Sequence, residues 1–339
     1  MAQALGNLFI NSFSEKRAKK KLIFKLIALF LPFIILLGAF IYYEPYDYFG
    51  LYNDNRGFSN PNPIPRVRSF LNHPDKTIIL IGSSRTAYLD MQTVSEYLDI
   101  DSSPANLAFG GASLKEQIDL FWFAVEERSV TEVYFDLSFY SFNKNYAYDR
   151  VIPVIQESED FFMYFKNEEV QKQTRETIKN IFLSKDNSAQ RPVRERTAEQ
   201  KAADMQEDAQ TIYNVCSTYV FDNERLADLV EMAKYCEKNS IKLIFMCPPL
   251  YQTIWNQVIY PLDLNQYLEK YKTELSQYAP VYDMEYVSPA VLRYDDFTDG
   301  FHCTEQTQQE YIQCTFSGHG VNYRLWQNGK IIYFAPEEP

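Results

Sequence analysis

A chain of 339 residues, 46% of them apolar, has ample material for a packed core and is not disordered as a whole. Its net charge of −12 argues against nucleic acid or another polyanion as the main partner. The five cysteines contain no C-x-x-C pair, which excludes a zinc ribbon or thioredoxin-type motif. Their odd number leaves at least one thiol free, whatever the pairing among Cys216, Cys236, Cys247, Cys303 and Cys314.

The N-terminus differs from the rest. Lys16, Arg17, Lys19, Lys20, Lys21 and Lys25 form a basic cluster, and Leu22 to Tyr43 follows as an almost uncharged run long enough to cross a bilayer as a helix. The lysines mark a cytoplasmic side, and Tyr42, Tyr43 and Tyr46 supply an aromatic belt at the far end. We read 1–21 as a cytoplasmic basic segment, 22–43 as an uncleaved single-pass anchor, and the remainder as extracytoplasmic. The competing reading is a cleaved signal, for which Gly38 and Ala39 offer only a weak cleavage site. Residues 1–43 carry six basic side chains against one acidic, so the net charge of −12 becomes −17 over the outer part.

Residues 44–76 read as a spacer, because N-P-N-P-I-P at 60–65 favours extended backbone. The domain proper runs from 77 to 339. Thr77 to Ile81 is a β-branched apolar run stopped by Gly82, so a buried strand ends in a tight turn bearing Ser83, Ser84 and Arg85. A helix over Met91 to Leu98, a strand ending at 106–108, the sequence F-G-G-A-S, and a helix over Leu114 to Glu127 capped by Ser113 come next. Val130 to Leu137 is a third strand, leading into a Tyr/Phe-rich turn that ends at Asn143. From about 149 to 218 the alternation breaks. Glu168 to Leu183 looks helical, and the polar stretch from Lys185 to Asp208 reads as an exposed insertion or a solvated helix pair. The rhythm resumes with a helix capped by Asp222 or Asn223, a strand over Lys242 to Cys247 stopped by Pro248 and Pro249, a helix over Leu264 to Tyr278, and a short strand over Val281 to Met284. This order predicts an α/β fold of three layers, a parallel five-stranded sheet between helices.

Chemistry collects where strands end. In an open parallel sheet, ligands gather at the carboxyl edge. Ser83 and Ser84, Gly110 and Gly111, Asn143, and the D-G-F-H stretch holding Asp299 and His302 all follow strands. An Asp-x-x-His spacing lets one turn of backbone hold a carboxylate against one imidazole nitrogen and leaves the other nitrogen to take a serine proton. Bland readings compete: a Gly-Ser-Ser turn, a satisfied loop histidine, a helix-entry turn at Gly110-Gly111, and an intradomain ion pair for Arg85. A metal site built from His302, Cys303, Asp299 and His319 fits no standard ligand spacing.

G-S-S-R, N-L-A-F-G-G-A-S and D-G-F-H together resemble the SGNH (GDSL-type) hydrolase superfamily, and more narrowly its membrane-anchored surface branch, which includes the teichoic-acid D-alanyl transfer protein and polysaccharide O-acylation factors. The resemblance covers Ile78 to Thr304 and leaves out the insertion and the tail after Cys314. It implies a flavodoxin-like fold, Ser84 as nucleophile, His302 as base and Asp299 as orienting acid. It also implies an oxyanion hole from the Ser84 and Gly111 N–H groups, with Asn143 a weak stand-in because the third-block G-x-N-D is absent. Arg85 becomes a candidate for substrate binding. No metal or organic cofactor is implied. The expected function is that of a serine esterase or O-acyltransferase at a bacterial cell membrane, acting on an acylated envelope polysaccharide or another acyl ester, alone or with a membrane-bound O-acyltransferase. The alternative is a non-catalytic module of the same fold that binds glycan or such an acyltransferase.

Overall fold

The computed structural model describes residues 2–51, 62–101, 103–182 and 197–335. Two compact units emerge, one from 1–56 with 166–187 and one from 57–165 with 188–339. In chain order the elements begin α1 (Ala2–Tyr43), α2 (Ile64–Asn72), β1 (Ile78–Ile81), α3 (Ser84–Ala87), α4 (Met91–Leu98), β2 (Ala105–Asn106), α5 (Leu114–Glu127), β3 (Glu132–Asp136), α6 (Val151–Glu159), α7 (Phe161–Lys166) and α8 (Glu168–Phe182). They continue α9 (Ala198–Cys216), α10 (Asn223–Lys238), β4 (Lys242–Cys247), α11 (Gln252–Ile254), α12 (Asn265–Leu275), β5 (Val281–Asp283), α13 (Pro289–Leu292), α14 (Glu305–Ile312), β6 (Tyr323–Gln327) and β7 (Lys330–Ala335).

In the first unit, Lys19–Tyr43 of α1 is a 25-residue span whose most apolar 18-residue stretch has a mean hydropathy of 2.6, long and apolar enough to cross a membrane or to be a signal sequence. Glu44 ends the helix. Its carboxylate accepts the N–H of Tyr46 at 2.9 Å and of Tyr48 at 2.6 Å, which gives the chain an alternative to further helical bonds. Tyr46 is fully buried, so it is not part of an exposed aromatic belt.

The second unit is built on a seven-stranded sheet in the order β2-β1-β3-β4-β5-β6-β7. The first five strands are parallel, and β6 and β7 add antiparallel at one side. Period-two alternation sends the strand residues to two faces. Leu80, Tyr134, Ile244 and Met246 pack with Val94 of α4 and Tyr311 and Ile312 of α14. On the other face α5 and α10 lie against β1 and β4. Local signals fix the helix starts: Asp90 accepts two N–H groups at the head of α4, Asp222 does so at α10, and Ser113 with Glu116 forms a reciprocal capping box at α5.

The sheet has seven strands where five were expected. The two extra strands come from the tail after Cys314. Asn328 and Gly329, at φ 53° and 72°, make the two-residue turn that suits the twist of a hairpin. β7 is the outer edge, with Ile331, Ile332, Tyr333 and Phe334 exposed. The spacer expectation also needs correction. Ile64–Asn72 is helical, because Pro65 stands in the first turn, where a proline costs no hydrogen bond; 52–61 lie outside the described residues. Within the expected insertion, 183–196 lie outside the described residues, and Ala198–Cys216 is a 19-residue helix with its own capping box at Thr197 and Gln200.

At the end of β5 the charged side chains Lys272, Asp283 and Glu285 are wholly buried, and the part-buried Arg324 reaches them from the edge. Lys272 Nζ donates to Asp283 Oδ1 at 2.8 Å and to the Glu285 carbonyl at 2.7 Å, while Asp283 Oδ2 accepts from Arg324 Nη2 at 2.6 Å and Trp326 Nε1 at 3.0 Å. Glu285 accepts the Tyr271 hydroxyl and the Phe139 N–H. Burial alone would lower the Lys272 pKa; Asp283, Cys247 and Glu285 outweigh it and raise it. Lys272→Met removes the buried ammonium that faces both carboxylates, leaving Asp283 to Arg324 and Glu285 without it. It should cost about 3–5 kcal/mol, measured as a fall in urea midpoint at unchanged m-value in the detergent-solubilised chain. A loss under about 1 kcal/mol would mean the cluster is better solvated than its burial indicates.

Candidate active site

The turn after β1 is held from beneath. Asp136, the last residue of β3, is buried, and its Oδ2 accepts the Ser83 N–H at 3.1 Å, the Ser83 hydroxyl at 2.9 Å and the Thr86 hydroxyl at 3.2 Å. Strand pairing brings it there, since β1 and β3 run parallel with Ile81 opposite Phe135. Gly82 allows the approach: a Cβ at that position would lie 2.5 Å from Asp136 Cβ. Ser83 is thereby bound inward, and the next residue, Ser84, opens α3 half-buried.

Ser84 Oγ lies 2.8 Å from His302 Nε2. His302 Nδ1 lies 2.8 Å from Asp299 Oδ2 and 3.0 Å from Oδ1, and Oδ1 also accepts the N–H groups of Phe301 and His302. With a carboxylate against Nδ1, the proton belongs on that nitrogen, and Nε2 is the lone pair that meets the serine hydroxyl. Burial works against the Asp299 charge, but the hydrogen bond and charge of His302 and the two backbone N–H groups outweigh it and hold its carboxyl below the usual range. The loop is closed at its base: Phe297 and Cys303 form an antiparallel bridge, and Thr298 N donates to the His302 carbonyl at 2.8 Å. Tyr88 meets the imidazole edge-on, with ring centres 5.7 Å apart. A crevice of about 20 Å3, room for roughly one water, lies beside His302 between Arg85, Tyr88, Leu89, Pro248 and Tyr311.

The Gly110–Gly111 turn stands at the carboxyl end of β2, and Gly111 needs its glycine for a φ of 64°. The turn is gripped from behind. The Gly111 carbonyl accepts from Arg150 Nη2 at 2.7 Å and from the Tyr146 hydroxyl at 3.1 Å. Arg150 is itself fixed on Glu116 by bonds of 2.7 and 2.8 Å. Glu116 is buried; the Arg150 bonds and the Ser113 N–H offset that burial and hold its carboxyl below the usual range.

Two assignments change. Arg85 is buried and turned inward: its guanidinium donates to the Pro248 carbonyl at 3.1 Å and to the Ser138 hydroxyl and lies 3.6 Å from Asp136 Oδ1. Burial disfavours its charge, but Asp136 outweighs that and raises its pKa. It is an ion-pair partner that borders the crevice, not a free cation for an anionic substrate. Asn143 does not serve an oxyanion either. Its Nδ2 donates to the Val215 carbonyl at 2.8 Å, and its Oδ1 accepts from Asn145 N and Val220 N, so the amide ties its loop to the end of α9 and to the loop that follows it. His319 is exposed on a turn, and among the described residues no three of His, Cys, Asp and Glu converge on a metal-sized site. None of the five cysteines is in a disulfide, and burial pushes the Cys303 thiol up to about 12.

Sequence reasoning missed Asp136, Glu116 and Arg150. Asp136 had a signal, an acid directly ending an apolar strand; Arg150 had none, because its partner lies on another element.

Gly82→Ala should force β3 and the serine turn apart and cost about 1–3 kcal/mol, read as a drop in thermal midpoint. An unchanged midpoint would show that the turn gives way without strain.

Comparison with known protein families finds no match, and comparison with curated proteins finds none. Among solved structures, the chain is similar to a provisionally named acylhydrolase from Bacteroides fragilis NCTC 9343 (14% identity, 71% of this chain and 86% of that one, TM-score 0.34). It is also similar to a protein provisionally named platelet activating factor from Streptococcus pneumoniae (11% identity, 85% and 98%, TM-score 0.34). Neither likeness is strong enough to assign a family or a fold, so the site is read from its own geometry.

Proposed function

We propose that this protein is an SGNH-type serine esterase or O-acyltransferase, anchored by α1 with its catalytic domain outside the cell membrane, and acting on an acylated cell-envelope glycan or teichoic-acid-like polymer. The observation that carries the reading is the relay Ser84 Oγ, His302 Nε2, His302 Nδ1, Asp299 Oδ2, with both contacts at 2.8 Å.

In this reading His302 Nε2 takes the Ser84 proton as Oγ attacks the ester carbonyl. The tetrahedral oxyanion faces the N–H groups of Ser84 and Gly111. Collapse breaks the bond to the leaving oxygen, which takes the proton from His302, and leaves an acyl-serine. Water or a sugar hydroxyl then gives its proton to His302 and attacks the acyl carbon; the acyl–Oγ bond breaks and Ser84 Oγ takes that proton back from His302. With the Asn143 amide occupied elsewhere, the oxyanion rests on backbone donors; one missing donor corresponds to about 2.7–4 kcal/mol of barrier, so turnover is slow. The N-terminal basic cluster and apolar helix support a membrane setting, and that setting favours an envelope polymer, supplied with or without a membrane-bound O-acyltransferase, over a soluble ester.

Fluorophosphonate labelling of the detergent-solubilised chain tests the reading. Wild type should label at one serine; Ser84→Ala and His302→Ala should abolish labelling; and Asp299→Asn should slow it by about 10³–10⁴-fold through the wrong imidazole tautomer. A folded wild-type protein that does not label would sink the enzyme reading and favour a binding module of the same fold.

A further inference from the structure

The D-G-F-H loop has an outside support that belongs to neither strand nor sheet. It is α9, from the region expected to be a solvated insertion. Met205, Ala209, Ile212 and Cys216 are its buried residues, a stripe along one face of the helix. Met205 packs with Tyr251, Val291 and Phe297, the last of which begins the loop. Lys201 Nζ donates to the Tyr294 carbonyl at 2.7 Å, and the Tyr294 hydroxyl donates back to the Ala198 carbonyl at 3.1 Å. One helical turn after Met205, Asp208 Oδ2 accepts the N–H of Gly300 at 3.0 Å.

Gly300 sits between the acid and the base, directly after Asp299 and two residues before His302. A Cβ there would lie 3.1 Å from Asp208 Cβ and 3.4 Å from Ile254 Cδ1, so helix and loop meet closely at this peptide. The loop's own bonds turn inward: Asp299 Oδ1 takes the N–H of Phe301 and of His302. The Gly300 peptide is thus the point at which α9 grips the acid–base turn.

We propose that Asp208 is a positioning residue for the reaction: through the Gly300 N–H it fixes the turn that aims Asp299 and His302 at Ser84. The proposal rests on the acyl-serine reading and gives α9 a role in the chemistry. Asp208 touches no reacting atom. It acts by holding a backbone peptide, and a misplacement of about 1 Å in a catalytic group costs about 10²-fold in rate.

The test compares fluorophosphonate labelling rates of the full chain in detergent. Asp208→Ala removes the acceptor and should slow labelling by about 10- to 100-fold at unchanged half-saturation by the probe. Asp208→Asn keeps an oxygen for the Gly300 N–H and should stay within about threefold of wild type. The low-field proton resonance of the His302–Asp299 hydrogen bond should be lost in Asp208→Ala and kept in Asp208→Asn, a contrast that a merely structural role would not produce. Gly300→Ala, whose Cβ at 3.1 Å from Asp208 Cβ asks α9 to give by a few tenths of an ångström while keeping the acid, should slow labelling in the same direction and covers the case in which Asp208→Ala does not fold. Labelling at the wild-type rate in both alanine variants, or an equal loss in Asp208→Asn and Asp208→Ala, overturns the proposal while leaving the triad standing. Absence of wild-type labelling overturns both.

Discussion

A single carboxylate, Asp136, sets the shape of the turn on which the proposed serine chemistry depends. Three donors from the turn, Ser83 N–H, Ser83 Oγ and Thr86 Oγ1, converge on one of its oxygens, and the other faces the guanidinium of Arg85. Buried without that cation, the carboxylate would carry a desolvation cost of several kcal/mol. Paired, it ties β3 to the start of α3 and commits Ser83 inward, which leaves Ser84 as the outward hydroxyl. Two adjacent serines of equal chemistry thus take different roles because only one is within reach of the acid below.

The same logic recurs along the carboxyl edge. Glu116 and Arg150 fix the Gly111 carbonyl, and so the direction in which the opposite side of that turn presents its N–H groups. At β5, Lys272, Asp283 and Glu285 join the strand end to the segment entering after β3 through the Phe139 N–H. Buried ion pairs are weak evidence for stability, but each removes the freedom of one loop. Their shared effect is rigidity at the edge where parallel strands leave their loops. A relay of two 2.8 Å contacts between residues 218 positions apart needs that rigidity.

Much of the scaffold was legible, and the reason is local. β1, α4, α5, α10 and β4 each combine an apolar period with a bounding residue: Gly82, Asp90, Ser113, Asp222 and Pro248. Ser84, His302 and Asp299 could be singled out because a strand-end serine and an Asp-x-x-His spacing carry their chemistry in the chain itself. What escaped depends on partners far apart in sequence. Sequence left Arg85 open between an ion pair and a substrate contact because its acid is 51 positions away. Asn143 looked like an oxyanion donor because its acceptor, the Val215 carbonyl, lies on the far side of the insertion. Polar composition left the stretch that holds Ala198–Cys216 open between an exposed insertion and a solvated helix pair, since only a narrow stripe of that helix is buried. The tail was missed for another reason: Asn328-Gly329 between alternating apolar residues was a hairpin signal that went unread.

That hairpin has a bearing on where the domain ends. β6 extends the sheet and also supplies Arg324 and Trp326, two of the groups on Asp283 Oδ2. A boundary drawn after α14, where the family-like motifs stop, would strip the β5 acid of those donors and uncover the backbone of a buried strand. Strand β6 is a structural part of the core, and the folding unit of this domain extends past α14 to include it.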